Sequence, residues 1–116
     1  MSRMEECLER GVALKVKGRY DEAEAEFKAV LETDGEHSEA HRQLGLVYGF
    51  IGLFDESIEE LSIAVRLDAS NINARNDLAL TYSMLGMCEE AKSEFEAVLM
   101  VDPDNEIAKK NLAYFS

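Results

Sequence analysis

Proline occurs once, cysteine twice, histidine twice and tryptophan not at all in this chain of 116 residues. A single proline leaves helices uninterrupted, and the scarcity of threonine and of Ile-Val runs argues against strands. Cys7 and Cys88 are too few for a disulfide framework and lack zinc-ligand spacing. Long apolar runs are also missing. The uncharged stretch from Leu44 to Phe54, part of the longest in the chain, contains three glycines and falls far short of the ~20 residues that a membrane-spanning helix needs. The opening Met-Ser-Arg-Met-Glu-Glu-Cys has no apolar segment that would serve as a signal peptide. One soluble domain in a reducing, cytoplasmic setting is the expectation.

Cations are the next scarcity. Twelve Lys and Arg stand against 24 Asp and Glu, a net charge of −12 at pH 7. Such a field repels phosphate backbones and anionic lipid, so neither nucleic acid nor membrane is expected as a partner. Most of the acids read as solvated helix faces, including Glu22, Glu24 and Glu26. Material for catalysis is thin: His37 and His41 are the only neutral-pH bases, and no phosphate-binding glycine loop or zincin motif is present. Their spacing of four admits a metal together with Asp34 or Glu36. His37, however, falls in a turn before a helix and His41 at a helix interface, so a packed His41 and a solvated His37 are expected. No enzyme activity, cofactor or metal is therefore anticipated.

What the chain does have is a repeat. Sliding the sequence by 34 residues aligns Gly18, Gly52 and Gly86; Glu22, Glu56 and Glu90; Glu26, Glu60 and Glu94; and Asp34, Asp68 and Asp102. Apolar columns align as well: Phe27/Leu61/Phe95, Val30/Ala64/Val98 and Leu31/Val65/Leu99. The columns Ala40/Ala74/Ala108 and Leu44/Leu78/Leu112 begin a fourth unit. Within each unit two apolar stripes at helical spacing flank a glycine, as with Ala40, Leu44, Val47, Tyr48 and Ile51 before Gly52 and Ile58, Leu61, Ala64 and Val65 after it. Gly11, Gly45 and Ala79 face Ala23, Ser57 and Ala91, small enough for close helix approach, and Phe27, Leu61 and Phe95 are expected to fill the space between hairpins. One hairpin cannot bury its stripe alone, so the units must stack. Cys88, in the column of Tyr20 and Phe54, reads as a small packed side chain.

With Leu44-Gly45-x-x-Tyr48, Gly52-x-Phe54, Ser57, Leu61, Ala64 and Asp68, and then Leu78-Ala79-x-x-Tyr82, Gly86, Ala91, Phe95 and Asp102-Pro103, the chain resembles the tetratricopeptide repeat family. The resemblance runs from about Glu5 to Phe115. It implies an all-α, right-handed superhelical solenoid of antiparallel hairpins, about seven helices in a single domain. Repeats are expected at about 4–37, 38–71 and 72–105, with a capping helix at about 106–115 that ends in the exposed-looking aromatics Tyr114 and Phe115. Arg10 in the column of Leu44, Cys7 in the place of an aromatic, and Gly35 and Ala69 in the place of the turn proline depart from the pattern.

In that family the first helix of each hairpin lines a groove. Each first helix here carries a second apolar pair away from its packing stripe: Val12/Val16, Leu46/Phe50 and Leu80/Met84. Glu9, Gln43 and Asp77 flank these pairs on one line, and Glu5, Glu39 and Asn73 on another. Either the pairs form an apolar, acidic-edged groove for a peptide or helix, neutral or basic with apolar anchors, or they pack between neighbouring first helices with only their edges exposed. Chaperone adaptors of the family hold a C-terminal carboxylate with Lys, Asn and Arg. The matching positions here are Leu8, Val12, Gln43, Asn73 and Asp77, so that clamp is absent. The expected function is an adaptor or assembly scaffold. The alternative is a self-associating structural protein whose groove or terminal helix joins copies.

Overall fold

A computed structural model describes residues 2–115 of the chain. Every element among them is helical: α1 (Arg3–Val16), α2 (Tyr20–Thr33), α3 (Ser38–Phe50), α4 (Phe54–Leu67), α5 (Ile72–Met84), α6 (Cys88–Val101) and α7 (Glu106–Leu112), with a 3₁₀ turn at Ala113–Phe115. Helices pair as hairpins α1–α2, α3–α4 and α5–α6. The hairpins stack through α2 on α3 and α4 on α5, and α7 lies on α6. The stack extends 44 × 27 × 20 Å.

The repeated columns are the turn chemistry of this stack. Gly18, Gly52 and Gly86 are the residues with positive φ, at 79°, 83° and 75°, a conformation that side chains with a Cβ rarely adopt. Each closes its first helix by the same bond, from the next amide to a carbonyl five residues back: Arg19 to Leu14, Leu53 to Tyr48 and Met87 to Tyr82, at 2.8–2.9 Å. The aspartate column makes the opposite turn. Asp34, Asp68 and Asp102 end the second helices, and their carbonyls accept from His37, Asn71 and Asn105. Those three residues then cap the following helix, their side chains accepting from Ala40, Ala74 and Ala108. His37 is thus a half-buried helix cap and not a solvated residue.

Tight approach of the paired helices follows from the small residues. A Cβ on Gly11 would lie 2.5 Å from the Phe27 ring, and one on Gly45 would lie 2.8 Å from Leu61 Cγ. Phe27 and Leu61 therefore cover the glycines of their own hairpins. Phe27 also reaches Leu44 and Val47 of the next hairpin in one buried cluster. Ser57 Oγ donates to the Gly45 carbonyl at 2.7 Å, which fixes the middle pair. Gly45→Val should consequently cost about 1–3 kcal/mol in urea unfolding through overpacking. Gly35→Ala, where the nearest atom is a carbonyl oxygen 3.7 Å away, should change stability by no more than about 0.5 kcal/mol.

The glutamate column 26/60/94 bonds across the helices of each hairpin and is not a free solvated face. Arg10 meets Glu26 at 3.2 Å, His41 meets Glu60 at 2.7 Å and Arg75 meets Glu94 at 2.8 Å. Glu22 and Glu24 are also engaged, Glu22 with Arg19 and Glu24 with Lys28 and the Tyr48 hydroxyl. His41 is buried as a packing residue, its second ring nitrogen 2.9 Å from the Gly35 carbonyl. Cys88, by contrast, is exposed. In the same column Tyr20 is covered by Phe50 from the end of the next first helix, the rings stacked with centroids 5.6 Å apart. Of the two terminal aromatics, Phe115 is partly buried against the Phe95 cluster and Tyr114 is 78% exposed.

Candidate binding groove

Helices α1, α3 and α5 follow one another along one side of the stack, α3 touching both neighbours. Between α3, α5 and the start of α4 lies an open depression of about 490 Å³ lined mainly by apolar side chains. Leu46 and Phe50 from α3 and Leu80 and Met84 from α5 line it, with Phe54 at one side and Asp77 at one end. Phe50 and Met84 remain 60% and 66% exposed. Of the remaining apolar pair, Val12 is partly buried against the first core cluster, and Val16 is 78% exposed on α1 outside this depression.

The polar line beside it is organised differently from a simple acidic edge. Glu9 on α1 is exposed, as are Glu5 and Asn73, whereas Gln43 is buried. Asp77 is held by Arg42 Nε at 2.6 Å, and the same guanidinium donates through Nη1 to Glu39 at 2.8 Å. Gln43 donates to Glu39 at 2.9 Å and accepts from Lys15 Nζ at 2.7 Å. The result is one continuous line of hydrogen bonds, Lys15–Gln43–Glu39–Arg42–Asp77, across α1, α3 and α5. Burial pushes the Asp77 carboxyl above the usual carboxylate range, with the Arg42 bond pulling the other way. Burial lowers the Lys15 ammonium, and the nearby Arg42 charge lowers it further. For Arg42 itself burial works against the charged form, yet the bonds and charges of Asp77 and Glu39 outweigh it and raise the guanidinium.

Lys15 and Arg42 were not among the residues expected here. Their signal in the sequence was faint: each is one residue from a groove position in a cation-poor chain, Lys15 beside Val16 and Arg42 beside Gln43. Long side chains reach across to a neighbouring helix, which helical phase alone does not reveal. Among the described residues no group of three or more His, Cys, Asp or Glu could hold a metal ion, and no helix is long and apolar enough to cross a membrane.

Paired helices turning on positive-φ glycines and stacking through a common 34-residue template define a helical-repeat solenoid. The family model for the tetratricopeptide repeat matches residues 5–37 and 72–105, more than half of the chain. The chain belongs to the tetratricopeptide repeat family. No curated protein matches the sequence, but solved structures do. The first such domain of Spaghetti (RPAP3), bound to the HSP90 peptide SRMEEVD, is similar at 24% identity over 97% of this chain and 89% of that one, with a TM-score of 0.90. The second domain of human RPAP3, in complex with the HSP70 peptide SGPTIEEVD, has 26% identity over 91% and 88%, with a TM-score of 0.83. The domain of Sgt2 from Aspergillus fumigatus has 16% identity over 98% and 77%, with a TM-score of 0.90.

Proposed function

We propose that the chain is a protein-interaction module that holds a peptide or helix against Leu46, Phe50, Leu80 and Met84 and so acts as an adaptor or scaffold. The observation that carries this reading is the apolar depression of about 490 Å³ between α3 and α5, where Phe50 and Met84 stay exposed and Leu46 and Leu80 are partly buried, Leu80 against the Phe95 core. A surface of this kind takes apolar anchors, and Met84 adapts to anchors of different shape. The human RPAP3 domain with its bound HSP70 peptide supports peptide capture by this architecture.

The anchors sit in a neutral setting. Asp77 and Glu39 are already paired with Arg42, so local charge does not call for a lysine-rich ligand. The overall charge of −12 still disfavours an acidic one. We test this by anisotropy with labelled peptides that carry two Leu or Phe anchors in neutral, basic or acidic flanks. Saturable binding is expected for neutral and basic flanks and not for acidic ones. Absence of binding by every anchored peptide would remove the reading.

A second reading has its own observation. Met100, Val101, Ile107 and Tyr114 are exposed around α7, at 85%, 58%, 45% and 78%, and a second copy meeting this end would cover them. Light scattering over a wide concentration range separates the two: a constant 13.0 kDa leaves the groove as the interaction surface, and a dimer gives the lead to self-association.

A further inference from the structure

Building on the groove reading above, we infer that Glu39 and Asp77 are specificity-determining residues: they serve as built-in anions for the groove cations Arg42 and Lys15 and so make the groove refuse peptides that offer a carboxylate. Arg42 reaches Asp77 at 2.6 Å and Glu39 at 2.8 Å, with its side chain only 18% exposed. Lys15 is tied to Glu39 through Gln43. Two positive and two negative groups make the line neutral, and every one of its cations already has an acceptor. Asp77 lies at the end of the apolar depression, within reach of a bound peptide.

An incoming carboxylate meets an Arg42 charge that Asp77 and Glu39 already balance, and these two fixed anions repel it even where an N–H of Arg42 or Lys15 is still open. Taking over the bonded N–H groups instead exchanges one charge-assisted bond for another and leaves a half-buried carboxylate without its partner. The peptides carried by two neighbouring structures, SRMEEVD and SGPTIEEVD, are acidic and end in aspartate. They are the ligands that such an arrangement turns away. The sequence alone suggested only that cations were missing from the groove. The structure supplies two cations, Arg42 paired with both anions and Lys15 bonded to Gln43. Burial raises the Asp77 carboxyl, and the bond and charge of Arg42 work against that rise.

The test uses the full chain and fluorescein-labelled SRMEEVD as the probe. Wild type should show no saturable binding at concentrations that would fill a micromolar site. The isosteric double variant Glu39→Gln/Asp77→Asn keeps the hydrogen-bonding shape, removes both negative charges and should gain at least about tenfold in affinity. Adding Arg42→Gln should abolish the gain, which a general loosening of the fold would not do. Circular dichroism checks folding at each step. If the double variant does not fold, Asp77→Asn alone carries the same comparison with a smaller gain. Saturable binding of SRMEEVD by wild type, a folded variant with no gain, or a gain that survives Arg42→Gln would each overturn the inference. Titrating the apolar-anchored peptides on the same samples separates the two claims. Wild-type capture of those peptides with no gain for SRMEEVD sinks this inference and leaves the groove reading intact. No capture of them by wild type sinks the groove reading itself.

Discussion

Phe95→Ala is expected to lower the free energy of unfolding by about 3–5 kcal/mol and the melting temperature by roughly 10–20 °C. Phe95 has no exposed surface and lies in one buried cluster with Ala79, Ala91, Val98 and Ala108, against which Leu112 and Phe115 of the C-terminal segment also pack. Removing the ring therefore opens a cavity where α5, α6 and α7 meet. Phe27→Ala should cost a similar amount, because that ring fills the space over Gly11 and touches Leu44 and Val47. The two defects should differ in reach. In a stacked array each unit leans on its neighbours only, so loss of Phe95 should expose α7 amides to hydrogen exchange first, and loss of Phe27 those of α1. A cost below about 1 kcal/mol at either position would mean that the hairpins are not packed as described.

Leu46→Ser combined with Phe50→Ser should have the opposite profile, a large loss of binding with little loss of stability. Two apolar anchors at the centre of an interface are commonly worth about 2 kcal/mol each, so capture of an apolar peptide should weaken roughly 100-fold or more. The fold should lose much less. Phe50 is 60% exposed, and its main contact is the stack on Tyr20, worth about 0.5–1.5 kcal/mol. Leu46 is only partly buried. Urea unfolding and peptide anisotropy on the same preparation decide the matter. A drop in stability comparable to that of Phe95→Ala would assign Leu46 and Phe50 to the core and empty the groove of its anchors.

Some of this was legible in the residues and some was not. The glycines at 18, 52 and 86 and the aspartates at 34, 68 and 102 mark turns, because positive φ and helix ends are demands that a short stretch of backbone makes on its own residues. The doubled apolar stripe of α3, which singles out Leu46 and Phe50, is likewise a property of one helix and its phase. The glutamate column was visible and its meaning was not: Glu60 and Glu94 look like solvated positions on their own helices, and only the partner helix supplies His41 and Arg75. The same limit applies to Cys88, whose column is covered in the first hairpin by a residue from the next one.

The sequence by itself determined the repeat, the helical hairpins and the need for them to stack, since each follows from backbone conformation and from apolar area that one hairpin cannot hide. Tertiary structure decided the electrostatics of the groove. Asp77 alone reads as an acidic edge, but Arg42 on α3 lies 2.6 Å from it, and Lys15 joins from α1 through Gln43. Charge acts through distance and burial, and the distance between side chains on different helices is set only when the hairpins stack.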